Sequence, residues 1–448
     1  MGFEVLLGDC IESMKKLPAE SVDMCVTSPP YYCLRDYGTA SWDGGDENCD
    51  HLGKPVIQRV GFNERYTGKA PVKLDKQGEL REPFKGECGK CGAKRVDDQI
   101  GLEATLGGYI DNMVSVFNEV HRVLKPEGTL WLNLGDSYNG SGGAGGDYNK
   151  GGLKEGQPKY PGRNEPTLKR KDLMGVPWRV AFALQEAGWY LRQDIIWAKP
   201  NCMPEPVKDR CTKSHEYLFL LTKQEKYYYD HVAIKEPVLT ASLKRAETSW
   251  DSDHPSTGFH GNGIHTEKMG TRFVDPAGRN KRSVWTVSPK PYKGAHFAVF
   301  PPELIEPCIL AGTSAKGCCL KCGKAYVRLT ERANKSNWEF RKSKGATGGS
   351  KDGGNKQQIG SGWSHDLPLE TNTTIGWVAT CECDAEVVPA VVLDPFGGSG
   401  TTAGVAVKHG RNAILCELNE EYAALIPSRV ESITQIPKEV LNDKREWI

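Results

Sequence analysis

Two short stretches near opposite ends of this 448-residue chain carry residue types that do chemistry. One is Thr27-Ser28-Pro29-Pro30-Tyr31-Tyr32, and the other is Asp394-Pro395-Phe396-Gly397-Gly398-Ser399-Gly400-Thr401-Thr402. In the first, two prolines cannot continue a central strand, and their fixed φ values stiffen the turn. The Ser28 hydroxyl and the Pro29 carbonyl are thereby held as acceptors, with Tyr31 set to stack on a planar group. An amine attached to an aromatic ring is a poor nucleophile because its lone pair is delocalised. Two acceptors gripping its N–H groups would localise that pair, with catalysis coming from positioning and electrostatics. In the second stretch, glycines let the backbone approach a ligand closely and take φ values that a Cβ forbids. The loop ends Gly400-Thr401-Thr402 with no lysine, which excludes a Walker-type phosphate cradle.

The elements that position these residues are legible around them. Val391-Val392-Leu393 reads as a buried strand and Ala403 to His409 as the start of a helix, so the glycines occupy a strand-loop-helix turn. The next strand, Ala413-Ile414-Leu415-Cys416, ends at Glu417. An acid roughly 20 residues beyond a Gly-rich turn is placed to accept both hydroxyls of a ribose. A bare Gly-rich loop is as readily a structural turn; Glu417 and the Asp-Pro-Phe context favour a nucleoside-like ligand. Val22-Asp23-Met24-Cys25-Val26 forms the strand that stops at the Pro-Pro turn.

With these motifs the chain resembles the DNA methyltransferases that use S-adenosylmethionine to methylate an exocyclic amine of adenine (N6) or cytosine (N4). It resembles their beta-class-like, circularly permuted form, with the catalytic motif ahead of the cofactor motif. The resemblance implies that Ser28, Pro29, Pro30 and Tyr31 are the catalytic tetrapeptide. It implies that Asp394, Phe396, Gly397, Gly398, Ser399, Gly400 and Thr401 form the cofactor loop, with Glu417 as the ribose-binding acid. The adenine-contacting acid corresponds to Asp9 in Val5-Leu6-Leu7-Gly8-Asp9. His296, in His296-Phe297-Ala298-Val299-Phe300-Pro301, lies where neighbours close over the methionine end of the cofactor.

The implied fold is α/β: a doubly wound, seven-stranded, Rossmann-like methyltransferase sheet, circularly permuted, with zinc-binding insertions. In the permuted order, Val391 onward supplies the first two strands, Phe3 to Leu7 the third and Val22 to Val26 the fourth. Tyr109 to Leu124 reads as a helix, with Tyr109, Met113, Val116, Phe117, Val120 and Leu124 on one face. Lys125-Pro126-Glu127-Gly128 breaks it before the fifth strand, Thr129 to Leu134. Helix Pro177 to Glu186 leads into Tyr190 to Trp197, which pairs with Tyr217 to Leu221 as a hairpin at the sheet edge. Ligands of such sheets bind beyond the carboxyl ends of the strands, where Asp9, Ser28, Asp136, Asp394 and Glu417 all fall. Asp136 and Lys199 are candidates for the base pocket. The expected divisions are 1–48 with 101–230 for the catalytic part of the core and 284–317 with 384–448 for the cofactor part. Two zinc-ribbon-like insertions are expected at 49–100 and 318–383, and a target-recognition region at 231–283.

The length suffices for a full core with insertions. The net charge of only +1 means that phosphate contacts must come from local patches. Candidates are Arg163 with Lys169-Arg170-Lys171, and a stretch carrying Lys268, Arg272, Arg279, Lys281, Arg282, Lys290 and Lys293 beside Phe273, Trp285 and Tyr292. That second mixture suits phosphate contact and base stacking. Double-stranded DNA is the implied partner, and a partner restriction endonuclease is a second one that the resemblance admits. Asn139 to Gly152, Ser256 to Gly270 and Lys342 to Ser364 read as mobile loops.

Fifteen cysteines in a chain with no signal peptide and no membrane-length apolar run point to a reducing cytoplasm rather than to disulfides. Cys49-x-His51 precedes Cys88-x-x-Cys91-Gly92, and Cys319-x-x-Cys322-Gly323 precedes Cys381-x-Cys383. Each set offers four ligands in two close pairs, matching tetrahedral structural zinc. The alternative is free thiols.

Ser-Pro-Pro-Tyr is more often the cytosine-N4 form of the motif, whereas Asp-Pro-Pro-Tyr or Asn-Pro-Pro-Tyr is the commoner adenine-N6 form. Both targets are exocyclic amines of a flipped base, so cytosine N4 is the favoured expectation and adenine N6 the alternative. Carbon-5 chemistry needs a nucleophilic cysteine after proline; Pro307-Cys308 lies in an apolar, helical stretch and reads as core. A binding protein that uses the fold and its zinc ribbons as a silent scaffold is the alternative of another class.

Overall fold

The computed structural model describes residues 2–34, 39, 41–55, 73–74, 80–83, 87–97, 99–140, 165–238, 278–290, 300–332 and 370–435. The chain divides into two compact units. One comprises Met1–Asp230, Arg282–Ala325 and Cys381–Ile448, and the other comprises His231–Lys281 and Tyr326–Thr380.

The first unit is built on eight strands: β1 (Phe3–Leu7), β2 (Val22–Thr27), β3 (Leu124–Leu134), β4 (Tyr190–Ala198), β5 (His215–Thr222), β6 (Val284–Thr286), β7 (Val391–Asp394) and β8 (Asn412–Glu417). Their spatial order is β1-β8-β7-β2-β3-β5-β4-β6. The five strands from β1 to β3 run parallel, and β5 is antiparallel to both β3 and β4. The order reverses between β7 and β2, so the sheet's topological switch point lies between the glycine-loop strand and the Pro-Pro strand.

Three expectations are corrected. The sheet has eight strands among the described residues rather than seven, because β6 adds parallel to β4. The hairpin of β4 and β5 is therefore not the edge. β3 begins at Leu124 rather than Thr129: Val22 faces Leu124 and Met24 faces Thr129, so Lys125 to Gly128 are accommodated as an irregularity of the ladder.

The helices follow from their apolar faces. α1 (Cys10–Lys15) is capped by Asp9, whose Oδ1 accepts the Glu12 N–H at 3.0 Å. α2 (Leu106–Val123) is capped by Thr105 and buries Tyr109, Met113, Val116, Phe117 and Val120, with Leu124 buried just beyond it. Losing one large side chain there, as in Phe117→Ala, costs about 3–5 kcal/mol. α3 (Val176–Glu186) precedes β4, and α4 (Pro302–Gly312) buries Cys308, whose thiol donates to the Leu304 carbonyl. Cys308 is a core residue. α5 (Thr401–Lys408) follows the glycine loop, and α6 (Glu420–Ala423) and α7 (Ile426–Thr434) follow β8.

In the second unit, Val327–Arg332 and Glu370–Val378 form an antiparallel ribbon, with the Arg328 guanidinium 4.5 Å from the centre of the Trp377 ring. Among the described residues no helix is long and apolar enough to cross a membrane. His296, Arg163, Lys268, Arg272, Phe273, Tyr292 and Lys293 lie outside the described residues, as do most of the three expected loops.

Candidate active site

The switch point brings residues of the two motifs into one cleft that opens to solvent. Asp9, Ser28, Pro30, Asp394, Phe396, Gly397, Gly398, Ser399, Thr401 and Glu417 all line it, together with Phe300 and Tyr422. Pro29, Tyr31 and Gly400 stand beside these residues in the chain without lining the cleft.

Asp394 is buried, and both carboxylate oxygens are engaged. Oδ1 accepts the Thr27 hydroxyl at 2.6 Å and the Phe396 N–H at 3.1 Å, while Oδ2 accepts the Thr402 hydroxyl at 2.6 Å. Burial raises its pKa, and the two hydroxyls oppose that shift. Asp394 thus braces the loop against β2 and the first turn of α5. Gly400 has φ +86°, and a Cβ there would lie 2.7 Å from Ile426, so both backbone and space demand glycine.

Glu417 closes β8. Its Oε2 accepts the Gly398 N–H at 2.7 Å and its Oε1 the Asn419 N–H at 2.9 Å. Burial raises its pKa to about 7 against those two bonds. Across the same cleft, the Ser399 and Thr401 hydroxyls are buried without a hydrogen-bond partner. Such groups are costly unless something meets them, and a ligand with polar atoms would do so. Carboxylates, unmet hydroxyls and the Phe396 ring together suit a polar ligand with an aromatic face.

Tyr31 is anchored through its hydroxyl. Its hydroxyl accepts from Ser28 Oγ at 3.3 Å, with Glu216 Oε2 at 2.8 Å and Asn133 Oδ1 at 3.2 Å as acceptors for its own proton. Glu216 also pairs with the Lys199 ammonium and receives the Asn133 amide at 3.3 Å. Burial, and then the Glu216 charge, push the Tyr31 phenol well up. The ring rests on Gly135, where a Cβ would lie 2.5 Å from Tyr31 Cε2. The Pro30 carbonyl accepts the Tyr109 hydroxyl at 3.0 Å.

The two base-pocket candidates have local partners. Asp136 Oδ1 accepts the Ser137 and Val176 N–H groups, capping the approach to α3. Lys199 sits over the Trp197 ring at 4.1 Å, beside its Glu216 partner. Of the basic candidates, Lys171 pairs with Asp209, Arg279 with Glu236 and Lys290 with Glu303. Trp285 is buried in β6 and its indole N–H donates to the Arg282 carbonyl, which removes it as a base-stacking surface.

Thr27, Thr402, Asn133 and Glu216 were missed by sequence reasoning. Glu216 had a signal, because a lone acid at the start of the apolar run Tyr217 to Leu221 needs a partner.

Both cysteine sets are assembled. In each, the four ligand atoms of Cys49, His51, Cys88 and Cys91, or of Cys319, Cys322, Cys381 and Cys383, lie within 4.8 Å of one another. The two knuckles repeat one geometry: Gly92 N–H bonds to the Cys88 carbonyl and Gly323 N–H to the Cys319 carbonyl, both at 2.8 Å. Backbone N–H groups lower the Cys91 thiol to about 6 and the Cys319 thiol to about 7. The Trp42 ring stacks on His51 at 4.5 Å.

Residues 22–320 and 388–427 match the DNA methylase family, which joins the N6 and N4 enzymes. The type II methyltransferase M.SmaI of Serratia marcescens is 33% identical over 430 residues, covering 95% of this chain and 90% of that relative. The type II methyltransferase M.Cfr9I of Citrobacter freundii is 38% identical over 319 residues, covering 70% and 73%. Among solved structures, the PvuII DNA methyltransferase (cytosine-N4-specific) aligns over 99% of this chain and 94% of its own, with 16% identity and a TM-score of 0.44. The chain belongs to the DNA methylase family.

Proposed function

We propose that this DNA methylase transfers the methyl group of S-adenosylmethionine to the exocyclic amine of a flipped base in a specific double-stranded site, cytosine N4 in preference to adenine N6. The observation that carries the proposal is the joining of Ser28 and Pro30 with the glycine loop in one cleft at the switch point. Glu417 is the acceptor for the ribose hydroxyls and Asp9 for the adenine amine, with Phe396 against the base and Ser399 and Thr401 meeting polar atoms of the ligand. When bound, the cofactor supplies an electrophilic methyl group. Ser28 Oγ and the Pro29 carbonyl orient the target amine by accepting its N–H groups. Tyr31, held by Glu216 and Asn133, fixes the Ser28 hydroxyl through their mutual bond.

The preference for cytosine rests on the serine that opens the tetrapeptide. The chain order, with Ser28 ahead of Asp394, is that of a permuted member. Two structural zinc ions, one per cysteine set, hold the insertions at 49–100 and 318–383, and 231–283 reads the target. The names of the type II relatives support a role beside a restriction endonuclease.

The test is incubation of the purified chain with S-adenosylmethionine and unmethylated genomic DNA, followed by digestion to nucleosides and identification by mass. N4-methylcytosine is the expected product. N6-methyladenine would retain the mechanism and move the target, and absence of any methylated base would favour the silent DNA-binding scaffold.

A further inference from the structure

The cysteine centre of Cys319, Cys322, Cys381 and Cys383 stands where the chain enters the strand that bears the glycine loop. Cys318-Cys319 pairs antiparallel with Val387-Val388, and Leu320 N–H bonds to the Glu386 carbonyl at 2.9 Å. The chain then enters β7 at Val391. There the Val391 N–H is accepted by Asp23 Oδ2 at 2.8 Å, while Asp23 Oδ1 accepts the Cys318 thiol at 3.1 Å. The Lys125 ammonium pairs with the same Asp23 oxygen at 2.8 Å, and both side chains are largely buried. Lys125 also packs on the knuckle: a Cβ on Gly323 would lie 3.0 Å from Lys125 Cε.

One carboxylate therefore joins the first residue of β7 to the residue before the knuckle. One cation lies between that carboxylate and the knuckle's turn. A dication held by four thiolates leaves a net negative centre, for which Lys125 is the near counter-charge. Without an ion, the segments 318–323 and 381–388 lose the cross-link that four ligands on one metal would give them.

We propose that the second cysteine centre, loaded with zinc, is a clamp that sets the position of β7, so that cofactor affinity at the glycine loop depends on a metal ion at the opposite end of the same strand. The inference rests on the zinc and S-adenosylmethionine readings above, and adds a coupling between them.

Full-length protein is analysed for zinc, then stripped with a chelator and reloaded. Each sample is read for S-adenosylhomocysteine affinity by calorimetry and for amide exchange by mass spectrometry. Stripping is expected to weaken binding at least tenfold and to speed exchange at Val391–Asp394 while α2 stays protected, with zinc restoring both. Unchanged exchange at β7 and unchanged affinity after metal loss would overturn the clamp. Protein purified without metal would overturn the zinc reading and the clamp together. Protein that holds zinc but binds no S-adenosylhomocysteine would overturn the cofactor reading, and the exchange data alone would then decide the clamp. Two variants separate ligation from transmission: Cys322→Ser is expected to lose one zinc equivalent and the affinity with it. Asp23→Asn is expected to keep both equivalents and still bind several-fold more weakly, and full affinity in that variant would overturn the route through Asp23.

Discussion

Thr27 donates its hydroxyl proton to Asp394 across 2.6 Å although 367 positions separate them in the chain. The bond spans the switch point, from the residue before Ser28 to the first residue of the glycine loop. It therefore fixes the distance between the group that would orient the amine and the loop that would hold the methyl donor. In a transfer whose rate depends on alignment of the two reactants, an error of about 1 Å there costs on the order of a hundredfold.

Removing the brace separates stability from alignment. Asp394→Ala leaves the Thr27 and Thr402 hydroxyls and the Phe396 N–H without their acceptor, and is expected to cost about 3–5 kcal/mol in denaturant unfolding. Thr27→Val keeps the volume and loses one bond, so about 1–2 kcal/mol is expected. Its methylation rate should fall more than its cofactor affinity. Equal losses of rate and affinity in Thr27→Val would rule out the alignment role.

The ribose-binding role proposed for Glu417 predicts that cofactor binding depends on pH. The Glu417 carboxyl titrates near 7 in the folded protein, above the ordinary 4.5, because burial disfavours the charge. The folded state therefore binds this proton more tightly than the unfolded chain does. Its contribution to stability is complete below the ordinary value and fades as pH rises through about 7. Ribose hydroxyls would donate to the ionised form, so affinity is expected to move the other way, weakening about tenfold between pH 8 and pH 6. Calorimetry with S-adenosylhomocysteine over that range checks this. Glu417→Gln is expected to bind weakly at every pH, and a wild-type affinity that stays flat would exclude Glu417 as the acceptor.

The strands that flank the site were legible because β-branched runs stop at residues that cannot continue them, Pro29-Pro30 after Val26 and Gly397-Gly398 after Leu393. The contacts that complete the site were not. Thr27 meets Asp394, and Glu216 meets Tyr31, only once the sheet has ordered β7, β2, β3 and β5 side by side. β6 escaped notice because three residues are too few to show a period. Trp285 misled for a related reason, since an aromatic among basic residues looks the same in sequence whether it faces a base or fills a strand. The cysteine knuckles were legible in full, because their spacing is local.

Gly135 offers a test of the Tyr31 seat that leaves Tyr31 itself in place. A Cβ there would fall 2.5 Å from the ring, so Gly135→Ala must displace it from Glu216 and Asn133. The variant is expected to fold and to bind cofactor, with turnover reduced about tenfold or more. Tyr31→Phe keeps the ring and removes the hydroxyl. If the bond chain through Ser28 matters, its turnover also falls by about tenfold. If the ring alone matters, Tyr31→Phe stays near wild type while Gly135→Ala and Tyr31→Ala do not. Single-turnover rates on duplex DNA distinguish the two.

The first cysteine centre makes a prediction about metal that involves no catalysis. Cys49, His51, Cys88 and Cys91 converge from two short segments, and the described chain between Pro55 and Glu87 contributes only short strands. Ligation of one ion by all four would hold these two segments together, as in small metal-organised folds. Cys49 and Cys88 lie with sulfurs 3.8 Å apart, and the Cys91 sulfur is 3.5 Å from His51 Nδ1. Trp42 fixes the His51 ring by stacking on it. Purified protein is therefore expected to carry two zinc equivalents by elemental analysis, and His51→Ala about one. Loss of the ion to a chelator should be accompanied by proton uptake at the freed ligands, and should open this region to protease before the core. Fewer than one equivalent in freshly purified wild type, with the region protected all the same, would mean that the four side chains are held by packing alone.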